Sequence, residues 1–264
     1  MTLAATILGC GSSGGVPRIG NQWGVCEPSN PRNFRLRCSL LVTRSGPNGM
    51  TRVLIDASPD LRQQMLAAEV DHLDAVFFTH EHADHTHGID ELRVFYLHDR
   101  KRVPVWADEK TGTLLMSRFG YCFYTAPGSD YPPILSLHRI VAGNSIEIEG
   151  KGGMISLLPI IVHHGNIEAL GFRVAGLAYT PDLNGIPERS LTPLSALDVW
   201  IVDALRKDPH PSHFHLSETL AWVARMKPKR AILTNMHVDL DYGVLSRMLP
   251  KPVEPAYDGM MIAI

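Results

Sequence analysis

Apolar and polar positions along the chain alternate in a rhythm of short strands and intervening helices. Leu3 to Leu8 reads as an apolar strand, followed by a glycine-rich segment, Gly9 to Gly15. Residues 21–37 form a polar loop with Pro28, Pro31 and the basic residues Arg32, Arg35 and Arg37, placed to lie over a site. Strands are predicted at Ser39 to Thr43 and Arg52 to Ile55, and a helix follows Asp60, where Leu61, Met65, Leu66 and Ala68 have helical spacing. The pattern continues with a strand at Ala75 to Phe78, a short helix at Gly88 to His98, a strand at Val103 to Trp106 and a helix at Glu109 to Arg118. An irregular aromatic stretch spans Tyr121 to Tyr131. The second half predicts strands at Met154 to Ile161, Leu170 to Val174, Leu177 to Tyr179, Val199 to Val202 and Ala231 to Leu233, with a helix at Leu216 to Met226. With no linker, low-complexity tract or short repeat, residues 1–264 are expected to form one domain of two similar halves.

Composition narrows the function. The 264 residues are 45% apolar, enough for a substantial core, and 25 basic against 27 acidic residues give a net charge of −2. That balance gives no general attraction to nucleic acid or to an anionic membrane. Neither a membrane span nor an export signal is visible, and Cys10, Cys26, Cys38 and Cys122 are too scattered for a disulfide framework. A cytoplasmic protein with free thiols is therefore expected. The 13 histidines nearly match the 15 phenylalanines and tyrosines taken together, more than packing requires, which directs attention to metal or acid–base chemistry.

Gly9-Cys10-Gly11-Ser12-Ser13-Gly14 fits the spacing of a dinucleotide-binding turn, but Val16-Pro17-Arg18-Ile19-Gly20 opens no helix with an apolar stripe. The glycines are read instead as a turn, or as positions where backbone approaches closely. The strongest chemical signal is Thr79-His80-Glu81-His82-Ala83-Asp84-His85 at the carboxyl end of an apolar strand. Imidazole and carboxylate donors without thiolates suit a catalytic divalent ion, with Zn, Mn, Fe and Ni all acceptable.

The run His80-x-His82-x-Asp84-His85 resembles the signature of the metallo-β-lactamase superfamily. The resemblance implies an α/β, four-layer αββα sandwich with its metal site at the edge between two sheets. It also implies further ligands in chain order: a histidine after a strand, an acid after a later strand, and a histidine near the C-terminus. His164 is the choice for the first, with His163 competing; Asp182 follows the strand ending at Tyr179; His237 is the candidate for the last. On this reading one metal takes His80, His82 and His164, a second takes Asp84, His85 and His237, and Asp182 bridges them. The two divalent ions, with Zn or Mn foremost, would share a hydroxide that attacks phosphorus.

The opening that ends in Gly15-Val16-Pro17 is similar to that of ribonuclease Z and the phosphoribosyl 1,2-cyclic phosphate phosphodiesterases, and this branch implies phosphodiester cleavage. Pro211-Ser212-His213-Phe214-His215 resembles the segment that brings a histidine to the scissile phosphate. His213 is assigned that role, with His215 as the spare, and Asp203 is either a carboxylate orienting a histidine or a turn residue. Asp84 and His213 are thus the catalytic candidates. The phosphodiesterases of this branch carry a separate zinc held by closely spaced cysteines, but this chain has Leu240 three residues after His237 and only Cys26 and Cys38 in the relevant region; that zinc is not expected. The basic, glycine-rich arm with which ribonuclease Z holds tRNA has no counterpart between Gly185 and Leu197. The expected function is hydrolysis of a small phosphodiester, a cyclic ribose phosphate among the candidates, with a phosphorylated small molecule as partner, no nucleic acid or membrane, and a homodimer allowed. Arg18 or Arg37 is placed to meet a phosphate-sized anion. The competing readings are tRNA 3′-processing, thioester or lactam hydrolysis, and a metal-dependent sensor without turnover.

Overall fold

Strand alternation sorts the apolar side chains into two cores. Along β1 (Thr2–Gly9), Ala5 and Ile7 face one way and Leu8 the other; in β2 (Ser39–Gly46), Leu40 and Val42 oppose Leu41; in β3 (Gly49–Ile55), Val53 and Ile55 oppose Leu54. All of these side chains are buried, so this sheet is covered on both faces, as parallel-containing sheets are. Helices α1 (Leu61–Ala67), α3 (Arg93–Asp99) and α4 (Glu109–Phe119) supply Leu61, Met65, Phe95 and Leu115 to one core. The other core lies between two sheets, where Phe77 and Phe172 meet edge to face at 5.5 Å. Truncating a buried phenylalanine of this kind costs about 3–5 kcal/mol.

The computed structural model describes residues 2–264. The first sheet is completed by β4 (Ala75–Phe77), β5 (Val103–Ala107), β6 (Leu135–Arg139) and the late β14 (Met260–Ala263), in the order β14-β1-β2-β3-β4-β5-β6. The second contains β7 (Ile146–Ile148), β8 (Ile155–His164), β9 (Ile167–Val174), β10 (Leu177–Thr180), β11 (Val199–Asp203), β12 (Arg230–Thr234) and β13 (Val253–Pro255), in the order β13-β12-β11-β10-β9-β8-β7. Each sheet joins an antiparallel half to a parallel half, the latter being β3-β4-β5-β6 in one and β10-β11-β12-β13 in the other. Helices α5 (Leu216–Met226) and α6 (Tyr242–Met248) accompany the second sheet, and a four-residue α2 (Ala83–Thr86) carries the histidine motif. The result is the αββα sandwich that the resemblance implied.

The long elements follow the hydrophobic pattern closely; α5 spans the residues its periodicity predicts. Four short strands, β6, β7, β13 and β14, and helix α6 depart from it, because strands of three to five residues and a helix of seven carry too little periodicity to stand out. The predicted helix at Gly88 to His98 is divided between a 3₁₀ turn, Ile89–Leu92, and α3. The loop over residues 21–37 also differs from a solvated polar cover. Arg35 is 1% exposed and donates to Leu240 O at 2.7 Å and to Asn33 Oδ1, locking the loop against the segment after β12. Cys26 packs there with Val16 and Val238 and donates to backbone carbonyls of Val238 and Leu240.

Gly11 shows why the opening is glycine-rich. It bridges Arg37 and Met236 through the backbone, and a Cβ here would stand 2.9 Å from the Arg35 side chain. Close backbone approach is the role these glycines take, and it sets the opening loop beside the residues that follow β12.

Candidate functional site

The site lies at the carboxyl ends of strands from both sheets, the parallel β4, β10 and β11 and the antiparallel β8. β4 ends at Phe77, and the next residues, through α2, carry His80, His82, Asp84 and His85; β8 ends on His164; β10 ends just before Asp182; β11 ends on Asp203. Donor atoms of His80, His82 and His164 lie within 4.8 Å of one another, as do those of His80, His85 and Asp182, and those of His164, Asp182 and His213. Of the pair after β8, His164 is buried and faces this cluster, whereas His163 is exposed.

Hydrogen bonds behind the cluster fix its orientation. Asp56 follows β3 with φ of 66°, a left-handed conformation that aspartate tolerates better than most residues, and it is fully buried. Its carboxylate accepts from Thr79 N at 2.8 Å, from Thr79 Oγ1 at 2.9 Å and from His85 Nδ1 at 2.7 Å. Because the single Thr79 hydroxyl proton goes to Asp56, His80 Nδ1–H donates to Thr79 Oγ1 at 2.9 Å, leaving a lone pair on His80 Nε2. His164 Nδ1–H likewise donates to Ser212 O at 2.7 Å, which turns its Nε2 lone pair toward His82 Nδ1, 3.1 Å away. This is the support by which ligand histidines are normally aimed.

Three buried polar atoms meet at the centre: His80 Nε2 has no hydrogen-bond partner, and His85 Nε2 and Asp182 Oδ1, 3.1 Å apart, make no well-directed hydrogen bond. Leaving several such atoms unpaired is costly, and a divalent cation with nitrogen and oxygen donors satisfies them together. Burial, reinforced by the neighbouring His85, holds the His80 pKa well below the ordinary imidazole value, and burial also lowers that of His164. Both rings are therefore neutral, as metal ligands must be. Burial disfavours charge on His85 too, but Asp182, Asp56 and Asp84 outweigh it and raise its pKa well above the ordinary value. Burial pushes Asp182 up, yet the attraction of His85 dominates and holds its carboxyl well below the usual range.

The expected residues are not all brought together. His80, His82, His85, His164 and Asp182 converge, and Asp84 stands at their edge with Oδ2 3.6 Å from His85 Nε2. His237, expected to complete the second metal's ligands, lies outside the cluster: its Nδ1 faces Asp239 Oδ2 at 2.9 Å and its Nε2 meets the Arg18 guanidinium. The turn after β12, where buried Asn235 adopts φ of 59°, places Asn235 against Asp203 and leaves His237 on the wall of the adjoining cavity with Asp84 and His213. Asn235 Nδ2 donates to Asp203 Oδ1 at 3.1 Å and lies 3.1 Å from His213 Nδ1.

His213 is the histidine that the fold places beside the donors. Its Nδ1 meets Asp203 Oδ2 at 2.8 Å, and Asp203 also accepts from Leu183 N. Burial lowers the His213 pKa, but Asp203 and Asp182 overcome it and push the imidazole up to about 9. His215, the alternative, is engaged at the start of α5, with Nδ1 2.6 Å from Glu218 Oε2. Arg37 is also drawn away, into an ion pair with Asp60 at 2.8 Å. Asp56, Asn235, Arg206 and His210 were not foreseen as site residues; an acid directly after an apolar strand was the available signal for Asp56.

Comparison with known proteins agrees with this architecture. The chain is 35% identical to a crystal structure of a new diphosphatase from the PhnP family, with a TM-score of 0.89, covering 100% of this chain and 98% of that one. Zn²⁺-bound PqqB from Methylobacterium extorquens superposes with a TM-score of 0.77 at 18% identity, covering 99% of this chain and all of that one, a likeness of fold. A curated Porphyromonas gingivalis (strain ATCC BAA-308 / W83) protein named octanoyltransferase is 30% identical over 259 residues, 96% of this chain but 50% of that protein, so the chain spans half the length of this relative. The profile of the Beta-lactamase superfamily domain matches residues 51–236, a span running from β3 to the turn after β12 and including the whole donor cluster, and the chain belongs to that family.

Proposed function

We propose that the chain is a metal-dependent phosphodiesterase of small phosphorylated molecules. The observation that carries this reading is the convergence of the donor atoms of His80, His82, His85, His164 and Asp182, among which buried His80 Nε2 has no hydrogen-bond partner. His80, His82 and His164 hold one divalent ion, and Asp84, His85 and Asp182 hold a second. Such ions, once bound, supply Lewis-acid charge to phosphoryl oxygens and lower the pKa of water. Asp56, Thr79 and Ser212 O keep the three histidine rings they touch in position, so the donors need little reorganisation.

Asp203 occupies Nδ1 of His213 and sustains its proton, leaving the other ring nitrogen to act on substrate. His213 donates that proton to the departing sugar oxygen as hydroxide, its water proton already given up to solvent, joins phosphorus and the phosphorus–oxygen ester bond breaks. Phosphoester chemistry is supported by the 35% identity to the PhnP-family diphosphatase over the whole chain. Processing of tRNA is disfavoured by the short Gly185 to Leu197 connection, which contains only a 3₁₀ turn, Glu188–Ser190, and no protruding arm. The activity in the name of the Porphyromonas gingivalis relative is not carried over, because half of that protein lies outside the match.

The test is to offer metal-loaded protein bis(p-nitrophenyl) phosphate, a cyclic ribose phosphate, a precursor tRNA and a thioester. Turnover of either of the first two, lost on chelation and restored by Zn or Mn, is the expected result. Preference for tRNA or thioester, or stoichiometric metal without turnover of any of the four, contradicts the proposal.

A further inference from the structure

Asp182 divides the donor cluster in two. Its Oδ2 faces His80 Nε2 at 3.9 Å and His164 Nε2 at 3.7 Å, whereas its Oδ1 faces His85 Nε2 at 3.1 Å, and Asp84 Oδ2 lies 3.6 Å from that same nitrogen. Donors this far apart are spanned by one ion at about 2.0–2.2 Å per bond. His82 joins His80 and His164, so one set holds three imidazoles and one carboxylate oxygen. The other holds a single imidazole and two carboxylate oxygens.

No second imidazole serves that other set. His237, expected there, has its Nδ1 2.9 Å from Asp239 Oδ2 and its Nε2 against the Arg18 guanidinium. The buried position after β12 belongs to Asn235, whose amide donates to Asp203. His213 offers no replacement, because Asp203 holds its Nδ1 at 2.8 Å and its approach to Asp182, at 3.8 Å, is to Oδ2, the oxygen of the first set. In place of nitrogen, Asp84 opens onto a cavity of about 180 Å³ lined also by Ser12 and Ser13, with room for water oxygens.

These donor sets prefer different ions. Imidazole nitrogen suits Zn²⁺, whereas carboxylate and water oxygen suit Mn²⁺, a harder ion that favours oxygen-rich, octahedral coordination. Either set alone binds Zn²⁺ more tightly than Mn²⁺, in the general order of the divalent ions, but the advantage of Zn²⁺ shrinks as nitrogen gives way to oxygen. We propose that the centre is built for two different ions: Zn²⁺ at His80, His82, His164 and Asp182 Oδ2, and Mn²⁺ at Asp84, His85 and Asp182 Oδ1. This rests on the metal-dependent reading above and assigns each half of that centre its own ion. Zn²⁺ in excess still fills both sets.

Metal-depleted protein is loaded with two equivalents of Mn²⁺ and titrated with Zn²⁺ at buffered free concentrations. Electron paramagnetic resonance reads the Mn²⁺ released, and elemental analysis reads the ions retained. Wild type should release Mn²⁺ in two steps, the second at about 10- to 100-fold higher free Zn²⁺, the scale on which metal sites respond even to their supporting contacts. Asp84→Ala should bind one Mn²⁺ and keep only the early step; His82→Ala should delay the early step and leave the late one in place. The two variants alter different donor sets, and circular dichroism shows that each is folded. Release from wild type in a single step, loss of the early rather than the late step in Asp84→Ala, or an unmoved early step in His82→Ala overturns the proposal. Turnover of bis(p-nitrophenyl) phosphate by the same preparation then leaves the phosphodiesterase reading intact. Failure of wild type to bind either ion overturns both.

Discussion

On one side of the donor cluster the outward-facing histidine nitrogens are tied to Asp56, Thr79 or Ser212 O, and the rings are packed against one another. The His80 ring centroid lies 4.5 Å from that of His82 and 5.0 Å from that of His164. On the other side Arg18, Arg206 and His237 face a cavity, and the inward position after β12 is taken by Asn235 rather than by a histidine. The first side is organised around donors that await a cation. The second presents cations that await an anion. Each side draws on both halves of the chain, Asp56, Thr79 and Ser212 behind the donors and Arg18, Arg206 and His237 at the cavity.

The largest effect should come from breaking the packed side. Asp182→Ala and His82→Ala are expected to lower kcat/KM by about 10³-fold, the several kcal/mol supplied by metal charge, and elemental analysis should show lost metal while circular dichroism shows a retained fold. His213→Ala sits at the junction of the two sides. A loss of roughly 10²-fold or more in kcat with full metal content is expected, measured on an ester with a poor leaving group; a p-nitrophenyl ester should suffer less because its leaving group needs little protonation.

Asp56→Ala probes whether the packed side depends on its buried support. Metal affinity, read by competition with a chromophoric chelator, should fall about 10- to 100-fold. His237→Ala should leave the number of bound ions unchanged, because the ring faces Asp239 and Arg18; loss of one equivalent would return His237 to the ligand set.

The smallest effect concerns the loop that bears the open side. Asp258 accepts from Cys10 N at 3.0 Å and Leu36 N at 2.7 Å, and burial pushes its carboxyl up to about 7. A folded-state pKa raised above the unfolded value of 3.8 gives stability that is full below about pH 4 and declines as pH rises through about 7. The denaturant midpoint should accordingly be lower at pH 8 than at pH 5.5 on account of this group, and Asp258→Asn should flatten that part of the profile.

The His80-x-His82-x-Asp84-His85 run was legible because all its members sit in one turn after one strand, so chain proximity implies spatial proximity. His164 and Asp182 were legible from the ligand order that the resemblance implies, each standing at the end of an apolar strand. The position of His237 outside the donor cluster was not, because it depends on how the loop after β12 lies beside that after β11, its parallel neighbour, and on the left-handed turn at Asn235. Arg35 shows the same limit from the other direction: within a basic, proline-containing loop it reads as solvated, yet it is buried because carbonyls more than 200 residues away accept from its guanidinium. Likewise, the separation of Arg18 from Arg37 required knowing that Asp60 stands beside one and not the other.

The most direct measurement is anomalous diffraction at the zinc edge from crystals of the metal-loaded protein. The account predicts a peak about 2.0–2.2 Å from nitrogen atoms of His80, His82 and His164, and a second peak against Asp84, His85 and Asp182. Absence of density among these six side chains, with zinc bound elsewhere on the chain, would contradict it.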